Sequence, residues 1–312
     1  MNVLLAVEQT RISVGAIRLL TKLMLPPGSD LILLHVHPIP PKITGLAKER
    51  ILKISQQVQE VQKEVRDQAR QFLSKVEKTL HRQDVVFHPM VKNGFPGEEI
   101  LKIVHAKRID LVALGTRSYS QSAGFFLGSV SQWVLQEAPC SVLIARNRPH
   151  KRLNDRGINV LLATDGSSDS RAAAHFINTM GLPDSSQITI VHVIKKQVYE
   201  TERALTSGRN NEREFAKLAE ELLEARGREG AKILQDTRKA LASSDIQIQE
   251  RLVFGNAADD ILKAARYMKA DLIVMGSQGS TGVKRMFLGS VSSKVVHNAG
   301  CSVAIIRSTN KK

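Results

Sequence analysis

Residues 276–290 read Gly-Ser-Gln-Gly-Ser-Thr-Gly-Val-Lys-Arg-Met-Phe-Leu-Gly-Ser, with glycines at 276, 279 and 289 and Ser290 directly after the last. An apolar run, Asp271 to Met275, precedes this stretch, and an apolar-periodic segment, Val291 to Val296, follows it. A strand that feeds a glycine-rich loop into a helix N-terminus suits an anion. Backbone N–H groups and the positive end of the helix dipole both point at the ligand there. Lys284 and Arg285 add positive charge in the middle of the loop. The chemistry is therefore phosphate binding, on its own spacing. Neither Gly-x4-Gly-Lys-Ser/Thr nor a Gly-x-Gly-x-x-Gly after the first strand is present.

A second polar strand exit is Thr164-Asp165-Gly166-Ser167. Asp165 has two compatible roles. It can hold the turn through backbone hydrogen bonds, or offer its carboxylate to ribose hydroxyls or a phosphate-bound Mg²⁺. His35 and His192 end equivalent strands and read as structural, since no Cys/Asp partner spacing suggests a metal. Gly94 and Gly255 read as chain-reversal positions before a helix. No Gly-x-Ser-x-Gly elbow or paired carboxylate motif is present, and both cysteines sit at apolar strands. This pattern favours binding over catalysis.

The elements that position these residues occur twice. Asn2-Val-Leu-Leu-Ala-Val-Glu8 matches Asn159-Val-Leu-Leu-Ala-Thr-Asp165, Ile32 to Val36 matches Thr189 to Val193, Gly94 to Ile100 matches Gly255 to Ile261, and Cys140-Ser-Val matches Cys301-Ser-Val. The first copy of the loop, 115–129, keeps Gly115, Gly128 and Ser129 but has Ser118 where Gly279 stands. A chain of 312 residues is long enough for two domains with their own cores. The reading gives 1–146 and 157–312, separated by the polar stretch Arg146 to Arg156. Strands are expected at 2–7, 30–36, 84–91, 110–114 and 141–145, then at 158–163, 187–193, 246–253, 271–275 and 302–306. Helices are expected near 168–180, 210–243, 257–268 and 290–298, with a long first-half helix from Leu46 to His81. Short, apolar, β-branched strands alternating with helices predict a right-handed, doubly wound α/β fold with parallel sheets. If strands one and four of a half are neighbours, both polar exits of the second half line one crevice.

The net charge is +15, but it is spread over both halves and interleaved with acids, as in Lys63-Glu64-Val65-Arg66-Asp67. Without aromatics among the basic residues, that pattern reads as a solvated surface and argues against nucleic acid as a partner. No apolar run approaches the ~20 residues needed to span a bilayer. Met1 to Val7 reads as a first strand rather than a targeting segment. The two cysteines read as small core residues in a reducing cytoplasm.

Gly276-x2-Gly279-x9-Gly289-Ser290 resembles the nucleotide motif of the ATP-binding branch of the universal stress protein family. With Val160 to Asp165, Val191-His-Val193, Asp271 to Gly276 and Cys301-Ser-Val, and their first-half counterparts, the resemblance covers nearly the whole chain as a tandem repeat. It implies two five-stranded parallel sheets of order 3-2-1-4-5 with helices on both faces. It implies ATP, with or without Mg²⁺, as ligand. Adenine contacts fall to Thr164 and around Val193, and phosphate contacts to Gly276, Gly279, Gly289, Ser290 and neighbouring amides. The full candidate set adds Asp165, Met275, Ser277, Arg285, Val291 and Ser292. It also implies pairing of 141–145 with 302–306, a homodimer and an unidentified protein partner. In the first half Ser118, Glu8 and Ala123-Gly124 depart from the motif and suggest a degenerate site. The leading reading is an ATP-binding, stress-response regulator that signals through nucleotide-dependent conformation or association. A slow ATPase or self-phosphorylating protein, and a basic scaffold on nucleic acid or membrane with a vestigial nucleotide site, are the alternatives.

Overall fold

Each half of the chain alternates short apolar strands with amphipathic helices, and the strands are covered on both faces. The computed structural model describes residues 1–8, 12–38, 48–80, 84–116, 127–147, 157–195, 212–241, 246–279 and 288–308. Contacts divide the chain into two compact units, the second of which takes in Arg148–Lys312.

The first unit runs β1 (Asn2–Ala6), α1 (Ile12–Lys22), β2 (Ser29–His37), α2 (Lys48–Leu80), β3 (Val85–Asn93), α3 (Pro96–Ala106), β4 (Leu111–Thr116), α4 (Ser129–Glu137) and β5 (Ser141–Arg146). Its strands pair in parallel in the order β3-β2-β1-β4-β5. The second runs β6 (Asn159–Ala163), α5 (Ser168–Met180), β7 (Gln187–Lys195), α6 (Glu212–Ala240), β8 (Gln247–Gly255), α7 (Ala257–Tyr267), β9 (Leu272–Gly276), α8 (Ser290–Asn298) and β10 (Ser302–Ile306). Its order, β8-β7-β6-β9-β10, is the same 3-2-1-4-5 arrangement, again all parallel.

Burial explains the sequence pattern. The central strands β6, β9 and β10 are buried almost throughout, with Val160, Leu161, Leu162, Ile273, Val274, Val303 and Ile305 fully removed from solvent. Continuous apolar runs are what a sheet covered on both sides requires. In the second unit α5 packs with α6, and α7 with α8. The edge strands β3 and β8 are largely exposed, and β3 contains Pro89, which an edge strand tolerates.

Strand ends differ from the apolar runs by one or two residues. β7 continues to Lys195 and β8 to Gly255, because Val193↔Val253, Ile194↔Phe254 and Lys195↔Gly255 remain in register. The ladder is made by backbone groups, so it does not stop where the side chains turn polar. The two long helices are seen over Lys48–Leu80 and Glu212–Ala240. Among the described residues no helix is long and apolar enough to cross a membrane.

Candidate functional site

β6 pairs with β7 on one side and with β9 on the other, so the chain reverses its direction of sheet growth at β6. Ligands in open α/β sheets bind outside the carboxyl ends of strands at such a switch point. The register Ala163↔Met275 sets the residues after β6, Thr164 and Asp165, beside those after β9, Gly276 to Gly279. Between them lies a cavity of about 790 Å³. α8 begins at its mouth. Its N-cap is Gly289, in extended backbone and without a side-chain cap, so the first amides of the helix keep no intrahelical partner.

The cavity brings together Thr164, Asp165, Val193, Met275, Gly276, Gly279, Gly289, Ser290, Val291 and Ser292. Ser277 is not among its walls. It is 5% exposed and its hydroxyl is bonded to Asp169. Lys284 and Arg285 lie outside the described residues, as do Ser118, Ala123 and Gly124 in the first half.

Several of these side chains are already engaged by the protein. Asp165 Oδ1 accepts the Ser167 amide at 3.0 Å, the turn-holding role expected of an Asp before Gly. Gly166 follows with φ +77°, a conformation that favours glycine. Thr164 is buried, and its hydroxyl meets Thr237 Oγ1 at 3.1 Å and Ser170 Oγ at 3.3 Å. Its contribution to a ligand is therefore shape and backbone. The Thr164 carbonyl accepts Nδ1–H of His192 at 2.8 Å, which fixes the tautomer because a carbonyl cannot donate. His35 makes the same bond to the Val7 carbonyl, at 2.9 Å. Repetition in both halves marks these histidines as ties between strand ends. Ser292 donates to the Gly276 carbonyl at 2.9 Å, leaving Ser290, which is exposed, as the hydroxyl at the helix start.

The glycines serve a purpose different from the one the sequence suggests. Gly279 is expected to need positive φ or close approach to phosphate, yet it has no positive φ. A Cβ built on it would stand 2.8 Å from Asp165 Oδ2. A Cβ on Gly276 would lie 2.8 Å from the Asp169 Cβ, and one on Gly289 would lie 3.1 Å from the Ser277 carbonyl oxygen. Each glycine is required by the chain's own packing around the loop. Gly94 does have positive φ (+154°), whereas Gly255 does not and instead faces the Asp260 carboxylate.

Two features were not legible from motifs. The first is a wall contributed by α6 and the end of β7, including Lys195, Arg226, Glu229, Gly230 and Ile233. α6 had been read as a solvated cover. Its signal was Gly230, since an interior helical glycine costs roughly 1 kcal/mol and needs a reason. A Cβ there would meet Leu252 Cδ1 at 2.7 Å and His192 Cδ2 at 3.0 Å. The second is Asp169, whose carboxylate binds Ser277, Gln278 and Ser308. Burial pushes this carboxyl up. Hydrogen bonds from the Ser277 and Ser308 hydroxyls and the Ser308 and Gln278 amides outweigh it and hold the group below the ordinary range.

The first unit replaces this polar framework. By the repeat and the strand register, Val7 stands for Thr164, Ile12 for Asp169, Ala69 for Gly230, Phe72 for Ile233 and Val76 for Thr237. Phe72 sets its ring edge-on to His35, with centroids 6.4 Å apart.

A family model described as the universal stress protein family matches residues 1–146 and again 159–307. A universal stress protein of Methanocaldococcus jannaschii is 32% identical over 154 residues, 49% of this chain and 84% of that protein. One from Bacillus subtilis is 32% identical over 148 residues, 47% of this chain and 97% of that protein. Each of these relatives thus spans about half of the chain. Among solved structures, a universal stress protein from Archaeoglobus fulgidus is similar over 98% of both chains, with a TM-score of 0.56 and 21% identity. A functionally unknown protein from Pseudomonas aeruginosa matches 98% of this chain and 92% of its own, with a TM-score of 0.53 and 16% identity. At that identity the structures speak for the fold. With two family matches on two copies of one α/β fold, the chain belongs to the universal stress protein family and carries it in tandem.

Proposed function

We propose that the second unit binds ATP in the cavity between the β6 and β9 exits, and that the chain is a stress-response regulator whose nucleotide state is read by a partner or by a second copy. The observation that carries this reading is the convergence of an uncapped helix N-terminus, the 276–279 loop and the Asp165 turn on one cavity. Triphosphate oxygens suit the first amides of α8 and the exposed Ser290 hydroxyl. Asp165 is the carboxylate that the β6 exit offers to ribose hydroxyls or to a phosphate-borne Mg²⁺. Val193, Ile194 and Met275 give an apolar surface for the base. The first unit, with Val7, Glu8 and Phe72 in place of Thr164, Asp165 and Ile233, is proposed to bind ATP weakly or not at all. Cys140 and Cys301 are buried free thiols, which fits a reducing compartment such as the cytoplasm.

The test is to identify by mass spectrometry the small molecule that co-purifies with the full chain, and to titrate the stripped chain with Mg-ATP by calorimetry. Recovery of an adenine nucleotide and saturable binding support the reading. Absence of both rejects it. Steady phosphate release, or a phosphate-sized mass gain on the chain, would move the assignment to the slow ATPase or self-phosphorylating protein.

A further inference from the structure

The loop that faces the cavity is anchored from outside the cavity. The Ser277 hydroxyl donates to Asp169 Oδ2 at 2.6 Å, and the Gln278 amide donates to the same oxygen at 3.2 Å. Oδ1 of that carboxylate accepts the Ser308 hydroxyl at 2.6 Å and the Ser308 amide at 3.0 Å. One side chain in the first turn of α5 thus bridges the start of the phosphate loop and the segment that leaves β10. A second tie runs alongside, from the Ser277 amide to the Ile306 carbonyl at 2.8 Å.

We propose that Asp169 is a positioning residue for the phosphate loop and that it couples ligand occupancy of that loop to the chain segment following β10. This rests on the nucleotide reading of the same cavity. Asp169 is not itself among the cavity walls, so it acts through Ser277 and Gln278, which lead directly into Gly279. A carboxylate offers about four acceptor positions, and four donors use them here. A helix-dipole role would need an acid in the first turn of α5 but no partners on β9 and β10. Fixing the first residues of a loop lowers the ordering cost of binding. Coupling is reciprocal: a ligand that tightens the loop also tightens what Asp169 holds on its other side. In the first unit Ile12 occupies the corresponding position and cannot accept hydrogen bonds. The bridge therefore belongs to the half with the full glycine spacing.

The experiment uses the full chain with Mg-ATP as probe. Calorimetry gives the affinity, and hydrogen exchange of the segment around Ser308 is followed with and without nucleotide. Asp169→Asn keeps the size but leaves one accepting oxygen, so one of the backbone N–H groups loses its charged partner. We expect about tenfold weaker ATP binding in a folded variant. Ser277→Ala should weaken binding in the same direction. Ser277→Thr should retain it, since the hydroxyl is kept and Thr116 fills the equivalent place in the first unit. ATP should slow exchange around Ser308 in the unmodified chain and do so less in Asp169→Asn. Folded Asp169→Asn with unchanged affinity, or exchange around Ser308 that ignores ATP in the unmodified chain, overturns the inference while the nucleotide reading stands. An unmodified chain that binds no ATP overturns the nucleotide reading itself, and this role with it. If Asp169→Asn does not fold, the Ser277 pair decides: equal affinities for the Ala and Thr variants overturn the inference.

Discussion

Asp165 Oδ2 occupies the space next to Gly279, 2.8 Å from where a Cβ on that residue would be. The carboxylate is not at liberty to swing away without loss, because Oδ1 holds the Ser167 amide and thereby the turn into α5. Gly279 and Asp165 therefore form one unit: the loop after β9 can lie over the β6 exit because one member has no side chain.

Gly279→Ser is expected to displace the Asp165 carboxylate or the loop and to weaken ATP binding by at least tenfold, about 1.4 kcal/mol. Gly279 is exposed and outside the core, so the fold should persist. Calorimetry together with a thermal melt checks both halves of the statement. Unchanged affinity in the folded variant would remove this loop from the phosphate site.

The roles of Gly279 and Asp165 were only partly legible in the sequence. Strand β9, the glycine loop and α8 could be read in order because apolar runs, glycines and helical periodicity are local signals. The order of strands was supplied by resemblance, and the register Ala163↔Met275 then made the shared crevice concrete. The reason for Gly279 was not readable, since the atom that crowds it belongs to a turn far away in the chain. Asp169 was hidden for the same reason: its bond to Ser308 spans 139 residues. The α6 wall was hidden differently, because a long charged helix looks alike whether it covers solvent or a cavity.

The Asp169 carboxyl sits below the ordinary aspartate value of about 3.9 in the folded chain. A depressed carboxyl stabilises the fold above its unfolded value, and that contribution is lost as pH falls through the folded value. Between pH 7 and 5 the stability difference between the unmodified chain and Asp169→Asn should thus stay constant. It should shrink as the pH drops below about 4. Denaturant titrations at a series of pH values measure it, and a difference that grows on acidification would contradict the assignment.

Lys269 follows α7 with φ +53°, and Arg108 takes the equivalent place after α3 with φ +48°. A side chain in this left-handed region costs roughly 1–2 kcal/mol, part of which a glycine recovers. Lys269→Gly should stabilise the chain by about 0.5–1 kcal/mol after the added freedom of the unfolded state is deducted. Chemical denaturation reads the gain, and ATP affinity should not change.

Ser118→Gly restores one motif residue of the first unit and is expected to create little ATP binding. The framework would still have Val7, Ile12 and Val76 where the second unit has Thr164, Asp169 and Thr237. The stoichiometry of ATP per chain in this variant is the readout, and a rise to two tight sites would mean that the glycine alone decides.

The central claim is that one of the two related units is built to hold ATP. Titration of the nucleotide-free full chain with Mg-ATP tests it most directly. The account predicts a single site per chain of micromolar affinity or better, about −8 kcal/mol, lost or strongly weakened in Gly279→Ser. Two sites of equal affinity would contradict the asymmetry between the units, and no saturable binding would contradict the nucleotide site altogether.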